Sequence, residues 1–113
     1  MLGAVDPRPI IEVLFFEGCP HYQRLLSRLR QLLHTSNIDA ELIEREVITD
    51  EMAVEHRFLG SPTVRINGVD IDPNLSDRDE YGLSCRLYQT PDGLVGAPPD
   101  EWIVGALQGP KKD

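Results

Sequence analysis

Ile10-Ile11-Glu12-Val13-Leu14-Phe15-Phe16-Glu17-Gly18-Cys19-Pro20 takes an apolar run into a glycine turn, and a strongly amphipathic stretch from Tyr22 to Leu33 follows at once. The run is short, β-branched and aromatic, so it reads as a strand. Tyr22, Leu25, Leu26, Leu29, Leu32 and Leu33 then recur at helical spacing, with Gln23, Arg24, Ser27, Arg28, Arg30 and Gln31 opposite. That pattern predicts a helix from Pro20 to about His34. Cys19 therefore falls at a strand-to-helix junction, where unpaired N–H groups and the positive end of the helix dipole favour a thiolate. Glu17 acts the other way, because a nearby carboxylate disfavours a second negative charge.

Some forty residues on comes Gly60-Ser61-Pro62-Thr63-Val64-Arg65-Ile66-Asn67-Gly68, a proline opening a β-branched run that ends in a hairpin-type Asn-Gly turn. Taken together the two segments resemble the thioredoxin-like superfamily. In that family a cysteine motif opens the first helix after the first strand, and an X-Pro-Thr segment with a cis proline faces it. Ser61-Pro62-Thr63 matches that segment and would form the substrate-facing surface. Cys19-Pro20-His21-Tyr22 is similar to the C-P-H-C and C-P-Y-C motifs, with Tyr22 in place of the second cysteine. The ordinary dithiol cycle cannot run within such a motif.

A closer resemblance runs through Phe-Glu-Gly-Cys-Pro, Leu59-Gly60-Ser61-Pro62-Thr63, Tyr81-Gly82-Leu83-Ser84-Cys85-Arg86-Leu87-Tyr88 and Gly93-Leu94-Val95-Gly96-Ala97-Pro98. These stretches look like a group of small bacterial thioredoxin-like proteins, some of which carry labels borrowed from alkylmercury lyases. Lyase chemistry would need two soft thiolates on mercury and an acid to protonate the leaving carbon, for which Glu17 is the nearby candidate.

A length of 113 residues suits one domain with a modest core. The expected organisation is a loose leader over residues 1–9, the folded domain over 10–108, and a frayed tail over 109–113. A formal charge of −8 argues against nucleic acid or an anionic membrane surface as partner, since both call for clustered Lys and Arg. The apolar run at 10–16 is too short to span a bilayer, contains Glu12, and lacks the features of a secretory leader. The expected location is the cytoplasm, where two cysteines are more often reduced, catalytic or redox-sensing than a structural staple.

Ser36-Asn37 closes the first helix, and Ala40 to Val47 reads as a strand whose Glu41, Glu44 and Glu46 mark a solvated edge. Thr49 caps a short helix with Met52, Ala53 and His56 on its apolar side. A parallel first strand pair follows from that order. Val64 to Ile66 and Val69 to Ile71 form a hairpin around Asn67-Gly68, and the polar stretch Asp72 to Gly82 is a long loop. Leu83 to Gln89 alternates as an extra strand, Pro91-Asp92-Gly93 is a turn, and Pro98-Pro99 starts a last helix bearing Trp102, Ile103, Ala106 and Leu107. The predicted fold is α/β and thioredoxin-like: a central mixed sheet flanked by helices, with an inserted loop and extra strand before the last helix.

Most of the candidate residues carry two readings. Cys19 is either a reactive thiol or a small buried hydrophobe. Pro20 shapes the first turn of the helix. His21 matches the histidine that helps to hold the thiolate in the C-P-H-C pattern, or is a solvated first-turn histidine. Tyr22 packs beneath the motif, or turns its hydroxyl toward the Cys19 sulfur. Cys85 follows the loop that returns to the active end, so it is either a resolving thiol supplied from outside the usual motif or a buried strand cysteine.

Asp70-Ile71-Asp72-Pro73-Asn74 begins like a calcium loop, but Leu75 and Tyr81 occupy its glycine and glutamate positions, which excludes an EF-hand. His21, His34 and His56 show no zinc-ligand spacing with either cysteine. No cofactor and no resident metal are expected. The leading expectation is thiol–disulfide chemistry through Cys19 and Cys85 on a protein or small-molecule disulfide or thiol. The alternatives are a non-catalytic module that binds an extended peptide beside Ser61-Pro62-Thr63, and soft-metal binding through both thiols.

Overall fold

β1 (Ile10–Phe15) alternates its side chains between two faces, and both faces are covered. The computed structural model describes residues 8–73 and 80–108. α1 (Tyr22–Thr35), β2 (Glu41–Glu46), α2 (Asp50–Glu55), β3 (Thr63–Ile66) and β4 (Val69–Asp70) follow β1 in order. β5 (Tyr88–Thr90), β6 (Gly93–Val95) and α3 (Asp100–Gln108) complete the chain. The main sheet has the order β2-β1-β3-β4, while β5 and β6 form a separate hairpin. β1 and β2 are parallel and the β1–β3 and β3–β4 pairs antiparallel, so the sheet is mixed.

Ile11 and Val13 of β1 and Val64 and Ile66 of β3 point to one face, where Leu25, Leu26 and Leu29 of α1 and Ile103 of α3 bury them. Leu14 points to the other face and packs with Val47, Ala53 of α2 and Phe58. β1 thus serves both cores through its period of two, and each helix contributes one stripe.

The local stops are chemical. Thr49 Oγ1 accepts the Met52 N–H at 3.1 Å and caps α2. Asn67 and Gly68 have φ of 53° and 86°, the left-handed pair that a two-residue hairpin demands. Asn67 also ties the hairpin to the start of β1, its Oδ1 accepting the Ile10 N–H at 2.9 Å. Ser36 caps α1 and Asn37 follows with φ of 54°.

The elements differ from the sequence reading chiefly at four places. α1 starts at Tyr22, not Pro20, because the chain first closes a turn in which Cys19 N–H donates to Phe16 C=O at 3.1 Å. β4 stops at Asp70, whose carboxylate accepts the Asp72 N–H and bends the chain away. The strand expected over Leu83 to Gln89 is regular only over Tyr88–Thr90, and β6 supplies a partner that the sequence reading left out. Pro9, placed in the leader, has its carbonyl engaged by the Glu41 N–H at 2.9 Å. Residues 1–7 of that leader, residues 74–79 of the expected long loop and the 109–113 tail lie outside the described residues. Among the described residues no helix is long and apolar enough to cross a membrane.

Candidate functional site

The end of the sheet where β1 finishes and β3 begins carries the motifs singled out above. The β1–β3 ladder closes with Leu14 opposite Thr63, so the Phe16–Cys19 turn leaves and the Ser61–Pro62 segment enters at the same end. The Ser61–Pro62 peptide bond is cis.

Cys19 is 4% exposed and stands two residues outside the His21 N-cap. Glu17, in the turn, and Pro20 are both exposed. The His21 carbonyl accepts the Leu25 N–H at 3.1 Å, and its side chain makes no capping bond. Its imidazole lies against Gly96, so close that a Cβ on that glycine would come within 2.9 Å of Nε2. Tyr22 stacks on Phe15 with ring centroids 4.1 Å apart, and its hydroxyl accepts from Gln23 Nε2 at 3.5 Å. Packing beneath the motif is therefore its observed role, and its hydroxyl is engaged on the Gln23 side.

Ser61, Pro62 and Thr63 are buried, and neighbouring chain covers them. Ser61 forms a parallel bridge with Cys85: its N–H donates to Ser84 C=O at 2.8 Å, and its C=O accepts the Arg86 N–H at 2.9 Å. Both backbone hydrogen-bonding groups of Ser61 are thus already paired within the chain. Thr63 Oγ1 donates to Gly60 C=O at 2.6 Å and accepts from Arg86 Nη1 at 3.2 Å.

Arg86 is the residue that sequence reasoning missed. Its side chain is completely buried, with Nη1 at 2.8 Å and Nη2 at 2.9 Å from the two oxygens of Asp70, and Nη2 at 3.4 Å from Asp72. Its guanidinium carbon sits 4.5 Å from the centre of the Tyr88 ring, and the Tyr88 hydroxyl donates to Pro62 C=O at 2.5 Å. Burial pulls the Arg86 pKa down, but the Asp70 hydrogen bond and the charges of Tyr88, Asp70 and Asp72 leave it above the ordinary guanidinium value. Buried charges persist only when paired in this way. Two carboxylates two residues apart, followed by a lone arginine inside an apolar alternation, were the available signal.

Cys85 rides on this clamp. Arg86 and Tyr88 point inward, while Leu83, Cys85 and Leu87 are exposed. The two cysteines are free thiols, one buried and one exposed. The structure therefore pins Cys85 beside Ser61 and, through Ser61, to the sheet end that Cys19 also leaves. Among the described residues, no three His, Cys, Asp or Glu side chains converge to hold a metal ion.

Comparison of the chain with protein-family models, with curated proteins and with solved structures gives no match.

Proposed function

We propose that this is a thioredoxin-like protein whose chemistry is thiol–disulfide exchange, with Cys19 as the attacking thiol and Cys85 as the resolving thiol. The observation that carries this reading is the Ser61–Cys85 bridge, which fixes an exposed thiol on the loop that opens β3 beside the end of β1. Cys19 on the strand-to-helix turn, the parallel β1–β2 pair and the X-Pro-Thr entry to β3 support the thioredoxin-like assignment.

In the reaction the Cys19 thiolate attacks one sulfur of a protein or small-molecule disulfide, forms a mixed disulfide and releases the other sulfur as a thiolate. The Cys85 thiolate then attacks the Cys19 sulfur and releases the second thiolate. Two electrons pass to the substrate, the protein keeps a Cys19–Cys85 disulfide, and a thiol reductant resets it. Cys19 is nearly covered, so the Glu17–Cys19 turn must open for the first step. Engagement of the Ser61 backbone by Ser84 and Arg86 weighs against the alternative, a module that docks an extended peptide there.

The test is intact mass after alkylation with and without reduction, following mild oxidation, with peptide mapping of the blocked cysteines. A reducible intramolecular Cys19–Cys85 link is the expected result. Two thiols that stay freely alkylatable under oxidant would overturn the dithiol mechanism.

A further inference from the structure

A cleft of about 620 Å³ opens between the first two turns of α1 and the wall formed by β6, the Gly96–Pro99 segment and the start of α3. It begins at His21 and stands apart from the thiol chemistry, since neither cysteine lines it. Its size is that of a small-molecule site. Its walls have opposite charge. The cationic group is Arg24 of α1, whose first turn holds no acidic residue, with the N-cap His21 as a further polar lining group, and the anionic groups are Asp92 of the hairpin turn and Glu101 of α3.

Arg28 and Asp100, which also line the cleft, neutralise each other through two hydrogen bonds at 2.5 and 3.1 Å. Among the described residues no ion pair engages the Arg24 guanidinium or the Asp92 and Glu101 carboxylates, so a cationic and two anionic groups are left open in one cleft. Trp102, Pro98 and Pro99 supply apolar lining to the same cleft.

The geometry points to a short zwitterionic peptide, two or three residues long with free termini, as the ligand of this cleft. Its carboxylate meets Arg24 and His21, its ammonium meets Asp92 and Glu101, and an apolar side chain lies on Trp102. A purely anionic ligand would be repelled by one wall and a purely cationic one by the other. Arg–carboxylate pairing is among the stronger polar contacts, and the half-buried indole adds contact area.

Trp102 is the only tryptophan, so its fluorescence reports the cleft directly. The probe is the tripeptide Ala-Phe-Ala, titrated with free termini, N-acetylated and C-amidated. The free peptide is expected to quench Trp102 saturably, and each capped form to bind about tenfold more weakly, the change expected from losing one charged contact. In Arg24→Gln the C-amidation penalty should shrink well below tenfold, while the N-acetyl penalty remains. Asp92→Asn/Glu101→Gln should show the reverse. These are surface residues, and an unchanged far-ultraviolet spectrum certifies each variant. Equal affinity for capped and free peptides would overturn the proposal, as would no saturable quenching up to about 1 mM.

Discussion

Ser61 and Cys85 are held side by side by two backbone hydrogen bonds, 2.8 Å to Ser84 C=O and 2.9 Å from Arg86 N–H, and the arginine that follows is sealed into the protein. The Ser84–Tyr88 segment thus acts as a clamp on the loop that opens β3. Its inner side is charged, paired and aromatic, and its outer side presents a thiol between two leucines.

Arg86→Met should cost about 3–5 kcal/mol in urea unfolding, because it leaves Asp70 and Asp72 without their cation. Adding Asp70→Asn and Asp72→Asn to that variant should restore part of the loss. Arg86 is held above the ordinary guanidinium value, so its contribution is fully present below that value and lost only as pH rises through the higher folded one. Stability followed up to about pH 10 should show no decline that is absent from Arg86→Met. A decline confined to the wild type would contradict the pairing described here.

Ser61→Ala should be nearly neutral, within about 0.5 kcal/mol, or slightly stabilising. The Ser61 Oγ is buried and has no hydrogen-bond partner among the described residues, and alanine leaves both backbone bonds of the bridge in place. A loss of 2 kcal/mol or more, on the order expected for breaking a buried hydrogen bond, would assign the hydroxyl a role that the structure does not contain.

Gly60→Ala should destabilise more than Gly68→Ala. Both glycines have positive φ, 127° and 86°, and both substitutions carry backbone strain. Only at Gly60 would the new methyl also meet Arg86 Cβ at 2.9 Å and Ser84 C=O at 3.1 Å, whereas the space around Gly68 is open. Equal midpoints in denaturant for the two variants would show that the clamp yields.

Native-state alkylation should proceed in two phases. Cys85 is exposed and should react first, and Cys19, at 4% exposure, should follow at the rate at which its turn opens. Mass mapping at short times that finds Cys19 modified ahead of Cys85 would reverse that order.

The exposed Arg28–Asp100 pair should respond to salt. Asp100 raises the Arg28 pKa through its hydrogen bond and charge, with little opposition from burial. The raised value means that the guanidinium stays charged across the working range, so ionic strength is the informative variable. Arg28→Gln should change stability slightly at low salt, and the difference should vanish at high salt.

Much of the molecule was legible because its signals are local. The helical spacing of Tyr22 to Leu33 sets the buried face of α1, Thr49 carries its own cap, and Asn67-Gly68 meets the φ demands of a tight turn. These depend on neighbours within a few positions, which a sequence displays directly. Leu83 to Gln89 shows the limit. Hydrophobicity alone would turn Leu83, Cys85 and Leu87 inward, yet the fold buries Arg86 and Tyr88 and leaves those three outside. A strand exists only where it finds a partner, and which side faces in depends on what waits there.

The sequence by itself determined the alternation of strands and helices, the placement of Cys19 after the first strand and the hairpin that follows Thr63. Tertiary structure alone decided that Asp70 and Asp72 would bury Arg86, that Cys85 would lie against Ser61, and that Arg24 and Asp92 would line one cleft. Each of these brings together residues more than a dozen positions apart in the chain. Burying a charge or aligning a bridge becomes favourable only once the rest of the fold has excluded water and supplied the matching partner.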